Sequence, residues 1–279
     1  MKLFKTKEGN IVLAKNLAYV LPKTDWDNLL NNDDLFNDLK KFLVNENRIK
    51  LSEERLNKIL LPPVKSQEIW ASGVTYFRSK TARMEESKDT GGSSFYDKVY
   101  DAQRPELFFK STPDRVKGPF EKVRIRKDSQ WSVPEPELTL VISSTKKIIG
   151  YTIGNDMSAR DIEAENPLYL PQAKSYKGST ALGPCIYVLD QPINPKTNLS
   201  LKIFRKGKQI FIGNSEVSKI KRSFSELIQF LFREMDFPKG CLLMTGTGIV
   251  PPDDFTLKVN DRIEISIEGI GSLINEVAQ

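Results

Sequence analysis

A chain of 279 residues with 28% charged and 39% hydrophobic side chains can bury a substantial core, and its composition is that of a compact soluble protein, not a disordered one. The net charge is +6, yet the basic residues fall in short scattered clusters (Lys146-Lys147, Arg205-Lys206-Gly207-Lys208, Lys219-Ile220-Lys221-Arg222) without an aromatic-interleaved stripe; a small carboxylate ligand is expected and nucleic acid is not. There is no histidine, which excludes Ser-His-Asp and Cys-His nucleophile systems and histidine-containing metal sites, leaving proton transfer to Glu, Asp, Lys, Tyr or metal-bound water, and metal ligation to oxygen donors suited to Mg²⁺, Mn²⁺ or Ca²⁺.

In chain order, residues 1–20 read as short strands with a turn at Glu8-Gly9-Asn10. Leu35, Phe36, Leu39, Phe42 and Leu43 recur at helical spacing, and Ser52-Glu53-Glu54 is an N-cap with acids in the first turn before Leu56, Ile59 and Leu60. Pro62-Pro63 ends that helix, so a boundary is expected at residue 64 between a small N-terminal domain, 1–64, and a larger one, 65–279.

Residues 69–76 form a buried-strand candidate in which Gly73 would let a ligand approach the backbone. The polar stretch 77–103, with Gly91-Gly92 at its centre, reads either as a lid over residues 78–98 or as an ordinary surface excursion. Glu106, beside Leu107-Phe108-Phe109, is either a surface glutamate or a carboxyl held against apolar neighbours, where desolvation raises its proton affinity.

In Pro134-Glu135-Pro136-Glu137, read as a strand, the two carboxylates point the same way and can share a cation. Leu138, Leu140 and Ile142 take the other face into a core. Taken alone, the pair equally describes solvated glutamates on an edge strand, where the interposed proline is tolerated. Residues 148–153 are a strand, Gly154-Asn155-Asp156 reads as a turn, and Ser158 to Asp161 opens a short helix. Residues 201–205 and 209–213 flank Lys206-Gly207-Lys208 as a hairpin, and Ser223 with Glu226 is a capping box for a helix burying Leu227, Ile228, Leu231, Phe232 and Met235. The tail, 243–274, is strand-rich, and its Thr245-Gly246-Thr247-Gly248 is not a phosphate loop. Cys185 and Cys241 sit in apolar runs as free thiols, and no apolar segment is long enough for a bilayer, so a cytoplasmic location is expected.

Pro134-Glu135-Pro136-Glu137, then residues 150–161 (GYTIGNDMSARD), then Lys174 and Leu182-Gly183-Pro184, form an ordered set that resembles the fumarylacetoacetate hydrolase superfamily from about Ile69 to the C-terminus. The resemblance implies an α+β, predominantly β fold: a mixed β-sandwich roll with a small N-terminal α/β module, commonly assembled as a homodimer or homotetramer. It implies that Glu135, Glu137 and Asp156 bind a divalent cation, usually Mg²⁺, and that Lys174 reaches the substrate beside it. Hydrolases and decarboxylases of the superfamily generally activate water with a Glu-His pair, which this chain cannot have. Residues 100–106 (YDAQRPE), Phe108-Phe109-Lys110 and 164–172 (AENPLYLPQ) instead resemble the superfamily's dehydratases of 2-keto-3-deoxy sugar acids, with Glu106 as base. Expected contacts to the 2-oxo acid substrate come from Thr247 and Gly73; for Thr247 the alternative is a plain tight turn, and for Lys174 a salt bridge to the metal carboxylates. The competing functions are a hydrolase, hydratase or decarboxylase of another 2-oxo acid, and a non-catalytic metal- or anion-binding protein.

Overall fold

A computed structural model gives the fold and describes residues 1–44, 48–78, 81 and 98–279. Most of the stretch read as a lid lies outside the described residues. Strands β1 (Lys2–Thr6), β2 (Gly9–Ala14) and β3 (Leu17–Val20) form an N-terminal meander. Helices α1 (Trp26–Leu30) and α2 (Leu35–Phe42), strand β4 (Arg48–Ile49) and helix α3 (Glu53–Ile59) follow. Ser52 caps α3 by accepting a hydrogen bond from the Arg55 N–H, as its side chain predicts. Strands β5 (Glu68–Gly73), β6 (Glu106–Ser111), β7 (Val116–Lys117) and β8 (Lys122–Arg124) lead to the two longest strands, β9 (Ser132–Ile142) and β10 (Ile148–Ala159). Then come α4 (Arg160–Glu165), α5 (Leu170–Lys174), β11 (Thr180–Tyr187), β12 (Asn198–Arg205), β13 (Lys208–Glu216), α6 (Phe224–Leu231), β14 (Cys241–Met244), β15 (Arg262–Ile267) and β16 (Gly271–Ala278). The β12–β13 hairpin turns on Lys206 (φ 50°) and Gly207 (φ 77°), the left-handed pair a two-residue hairpin loop demands.

The strands form two mixed sheets. The larger runs β4-β3-β2-β1-β11-β10-β9-β14-β5-β6 with β7 beside β11, and the smaller runs β13-β12-β15-β16-β8. Alternation along each strand decides what packs between them. Leu138, Leu140, Ile142, Ile153, Met157 and Leu243 of the large sheet meet Leu199, Leu201, Ile203, Ile263, Ile265 and Leu273 of the small one in a single core. On the opposite face of the large sheet, Val141, Leu182, Ile186, Leu242 and Met244 are covered by Trp26, Leu29, Leu30, Leu35 and Leu39 from α1 and α2. The result is the mixed sandwich roll expected from the resemblance. Residue 64 is proposed as the boundary between an N-terminal unit and the rest; β1 on one side and β11 on the other share a ladder, Leu3 opposite Ile186.

Two local expectations change. Gly154-Asn155-Asp156 is not a turn: β10 runs straight through it, with Gly154 opposite Glu137 and Asp156 opposite Glu135. The glycine serves close packing, since a Cβ there would lie 2.5 Å from Thr139 Oγ1 and 2.9 Å from Met244 Cε. Likewise β9 is central, not an edge. Its two prolines are tolerated because the ladder with β14 extends only to Thr139, so at Pro136 the strand pairs with β10 alone.

Candidate active site

Beyond the part of the outer face that α1 and α2 cover, the alternation that buries apolar residues elsewhere presents charge. Glu135 and Glu137 share the outer face of β9, and Asp156 stands directly across from Glu135 on β10. All three are buried, at 5%, 1% and 1% exposure, so the solvated-edge reading of the pair is overturned. One carboxylate oxygen from each lies within 4.8 Å of the others, the separation at which three oxygens can share one cation.

Each carboxylate is held by specific partners. Glu135 accepts from Arg160 Nη2 at 2.7 Å and from Lys174 Nζ at 2.8 Å. Asp156 pairs with Lys110 Nζ at 2.7 Å and accepts from Lys174 Nζ at 3.1 Å. Glu137 accepts from the Gly246 backbone N–H. Only glycine serves at 246: its φ is +88° and a Cβ would sit 3.0 Å from the Ser72 carbonyl and closer to Thr75 Oγ1. Burial, followed by repulsion from Asp156 and Glu135, holds the Glu137 carboxyl well above the usual carboxylate range. A cation held among the three carboxylates would relieve that repulsion.

One cavity brings together every residue singled out from the sequence: Gly73, Glu106, Glu135, Glu137, Asp156, Lys174 and Thr247. Lys174 ends α5 with its ammonium also donating to Ser158 Oγ at 2.6 Å and 3.6 Å from Glu163. The salt bridge offered as its alternative is therefore present, inside the same cavity. Thr247 is 4% exposed, and its hydroxyl accepts from the Ile249 N–H at 3.2 Å; its turn role and its place in the cavity coexist. Glu106 starts β6 opposite Gly73 on β5. A Cβ on Gly73 would lie 2.9 Å from Glu106 Oε1 and closer to Oε2 and Cδ. Gly73 thus makes room for the Glu106 carboxylate while lining the cavity.

Three buried charges escaped the sequence reading. Lys110 is fully buried, Arg160 2% exposed and Glu163 1% exposed. For two of them a signal was present, since Arg160 and Glu163 lie three apart on α4; Lys110 falls where the β5–β6 register shifts between Phe109 and Ser111, so alternation from Glu106 does not place it. Counting Glu106, Glu135, Glu137, Asp156 and Glu163 against Lys110, Arg160 and Lys174, the ionised site carries two negative charges in excess. An all-oxygen donor set with that excess fits a divalent hard cation.

A family model, fumarylacetoacetate (FAA) hydrolase C-terminal, matches residues 69–278. A 2-dehydro-3-deoxy-D-arabinonate dehydratase from Saccharolobus solfataricus is 45% identical over 241 residues, 86% of this chain and 77% of the relative. A probable 2-keto-3-deoxyxylonate dehydratase from Haloferax volcanii is 45% identical over 77% of this chain and 73% of its own. A solved structure of 2-keto-3-deoxy-D-arabinonate dehydratase complexed with magnesium and 2,5-dioxopentanoate, 40% identical, superposes with a TM-score of 0.84 over 99% of this chain and 98% of that one.

Proposed function

This chain belongs to the fumarylacetoacetate hydrolase family, and from that premise we propose that it is a metal-dependent dehydratase, a hydro-lyase that converts a 2-keto-3-deoxypentonate, 2-keto-3-deoxy-D-arabinonate or a close stereoisomer, to 2,5-dioxopentanoate. The observation that carries this reading is a glutamate, Glu106, in one cavity with three clustered carboxylates and a lysine, in a chain whose lack of histidine removes the water-activating pair of the family's hydrolases.

Glu135, Glu137 and Asp156 would hold the cation, Mg²⁺ first and Mn²⁺ or Ca²⁺ as alternatives. The chemistry such an ion supplies is polarisation of a 2-oxo acid, which acidifies C3. Glu106 takes the C3 proton, and its seat over Gly73 fixes where that proton must lie. The 4-hydroxyl leaves as water, receiving a proton from an acid in the cavity, and a C3=C4 double bond forms in conjugation with the 2-oxo group. Shift of that bond to C4=C5 gives the enol of a C5 aldehyde, whose tautomer is 2,5-dioxopentanoate. Lys174 sets positive charge beside the substrate oxygens, and Thr247 contacts the substrate carboxylate. The enzyme is expected to be cytoplasmic and to assemble as a homodimer or homotetramer; among the described residues no helix is long and apolar enough to cross a membrane.

A panel of 2-oxo acids incubated with Mg²⁺ distinguishes the reactions. Dehydration predicts 2,5-dioxopentanoate from a 2-keto-3-deoxypentonate and no cleavage of acylpyruvates; hydrolysis or decarboxylation of another 2-oxo acid, with the pentonates untouched, overturns it.

A further inference from the structure

Lys110 is buried to 0% exposure beneath the carboxylate cluster. Its ammonium donates to the Met157 carbonyl at 3.2 Å and to the Lys174 carbonyl, and it forms an ion pair with Asp156 Oδ1 at 2.7 Å. The three partners come from two different elements. Asp156 and Met157 lie on β10, whereas Lys174 is the last residue of α5, whose carbonyl has no partner within the helix. Lys110 itself lies on β6, four residues beyond Glu106, at the point where the pairing with β5 shifts register between Phe109 and Ser111. One side chain therefore ties the strand that starts with Glu106, the strand that carries Asp156 and the helix end that aims Lys174.

We propose that Lys110 is a positioning residue for the cation site and for Lys174: its ammonium fixes the orientation of Asp156 and pins the end of α5, so that Lys174 meets Glu135, Asp156 and Ser158 together. Without it, a buried aspartate oxygen loses its ion-pair partner and two buried carbonyls lose a donor, and they recover partners only by moving. Asp156 then rotates away from Glu135 and Glu137, and Lys174 loses its register against them. The inference rests on the proposed cation site, but its first readout is metal binding and not turnover.

The test uses full-length Lys110→Met, freed of metal by chelator and shown folded by circular dichroism, titrated calorimetrically with Mg²⁺ beside the parent protein. Loss of positioning predicts Mg²⁺ affinity about 10- to 100-fold weaker, the loss common when a group holding a metal ligand is removed, with kcat reduced and KM little changed. A lysine that merely offsets charge gives the opposite sign: removing a cation from the cluster tightens Mg²⁺ binding, and that result, or unchanged affinity, overturns the proposal. Should the methionine variant not fold, Lys110→Gln, which keeps two donors, is read by the same titration, weaker binding supporting the proposal and equal or tighter binding overturning it. If the parent protein binds Mg²⁺ but turns over no pentonate, the function has failed and the positioning role is still decided by the titration.

Discussion

Substituting Gly73 by alanine tests whether Glu106 acts from the place it occupies. Gly73 is not among the residues with positive φ, so alanine is unstrained in the backbone there, and the crowding falls on the far end of a flexible side chain. The new Cβ would lie 2.9 Å from Glu106 Oε1 and closer to Oε2. Ordinary carbon contacts need about 3.5 Å or more, so the carboxylate must shift by roughly 1 Å. A displacement of that size at a reacting group costs about 100-fold in rate. The expected result is therefore kcat down about 100-fold, with Mg²⁺ affinity and thermal midpoint close to the parent's, because the carboxylate cluster is untouched. The cycle with Glu106→Gln sharpens the assay. If Gly73 acts through Glu106, alanine at 73 adds little in the glutamine background. Undiminished kcat in Gly73→Ala, or losses that multiply fully in the double variant, would refute the reasoning.

Three further outcomes follow from the same geometry. Glu106→Gln is expected to lower kcat by about 10²- to 10⁴-fold, as for loss of a general base, while calorimetric Mg²⁺ affinity is retained; a near-parental rate assigns the base elsewhere. Mg²⁺ affinity is expected to rise with pH: burial and its acidic neighbours hold Glu137 protonated above the usual carboxylate range, and a ligand must shed its proton to bind. Titrations at pH 6 and pH 8 check the sign, and equal or weaker binding at pH 8 contradicts it. Leu140→Ala, at a fully buried position where the two sheets meet, is expected to destabilise by about 2–5 kcal/mol by denaturant unfolding, and a loss below about 1 kcal/mol would place Leu140 outside a packed core.

Much of this site was readable because strands impose a period of two. That alone put Glu135 and Glu137 on one face and Leu138, Leu140 and Ile142 on the other. The hairpin at Lys206-Gly207 and the cap at Ser52 were equally legible, because local backbone requirements choose those residues. What failed did so where tertiary packing overrides local preference. Gly-Asn-Asp is a turn composition, yet Gly154 is needed for its missing side chain between Thr139 and Met244, and no local rule foresees that. Lys110 was missed because a lysine ordinarily projects to solvent; only the fold shows that two carbonyls and the Asp156 carboxylate meet its ammonium. Gly73 was read as room for a ligand, and what only the strand pairing shows is that its missing side chain also leaves space for the Glu106 carboxylate.

The most direct test of the account is a proton NMR time course with chelator-treated protein and each 2-keto-3-deoxypentonate stereoisomer, before and after Mg²⁺ is added. The account predicts 2,5-dioxopentanoate from at least one stereoisomer, appearing only once Mg²⁺ is present. No product from either, or equal rates with and without the cation, would contradict it.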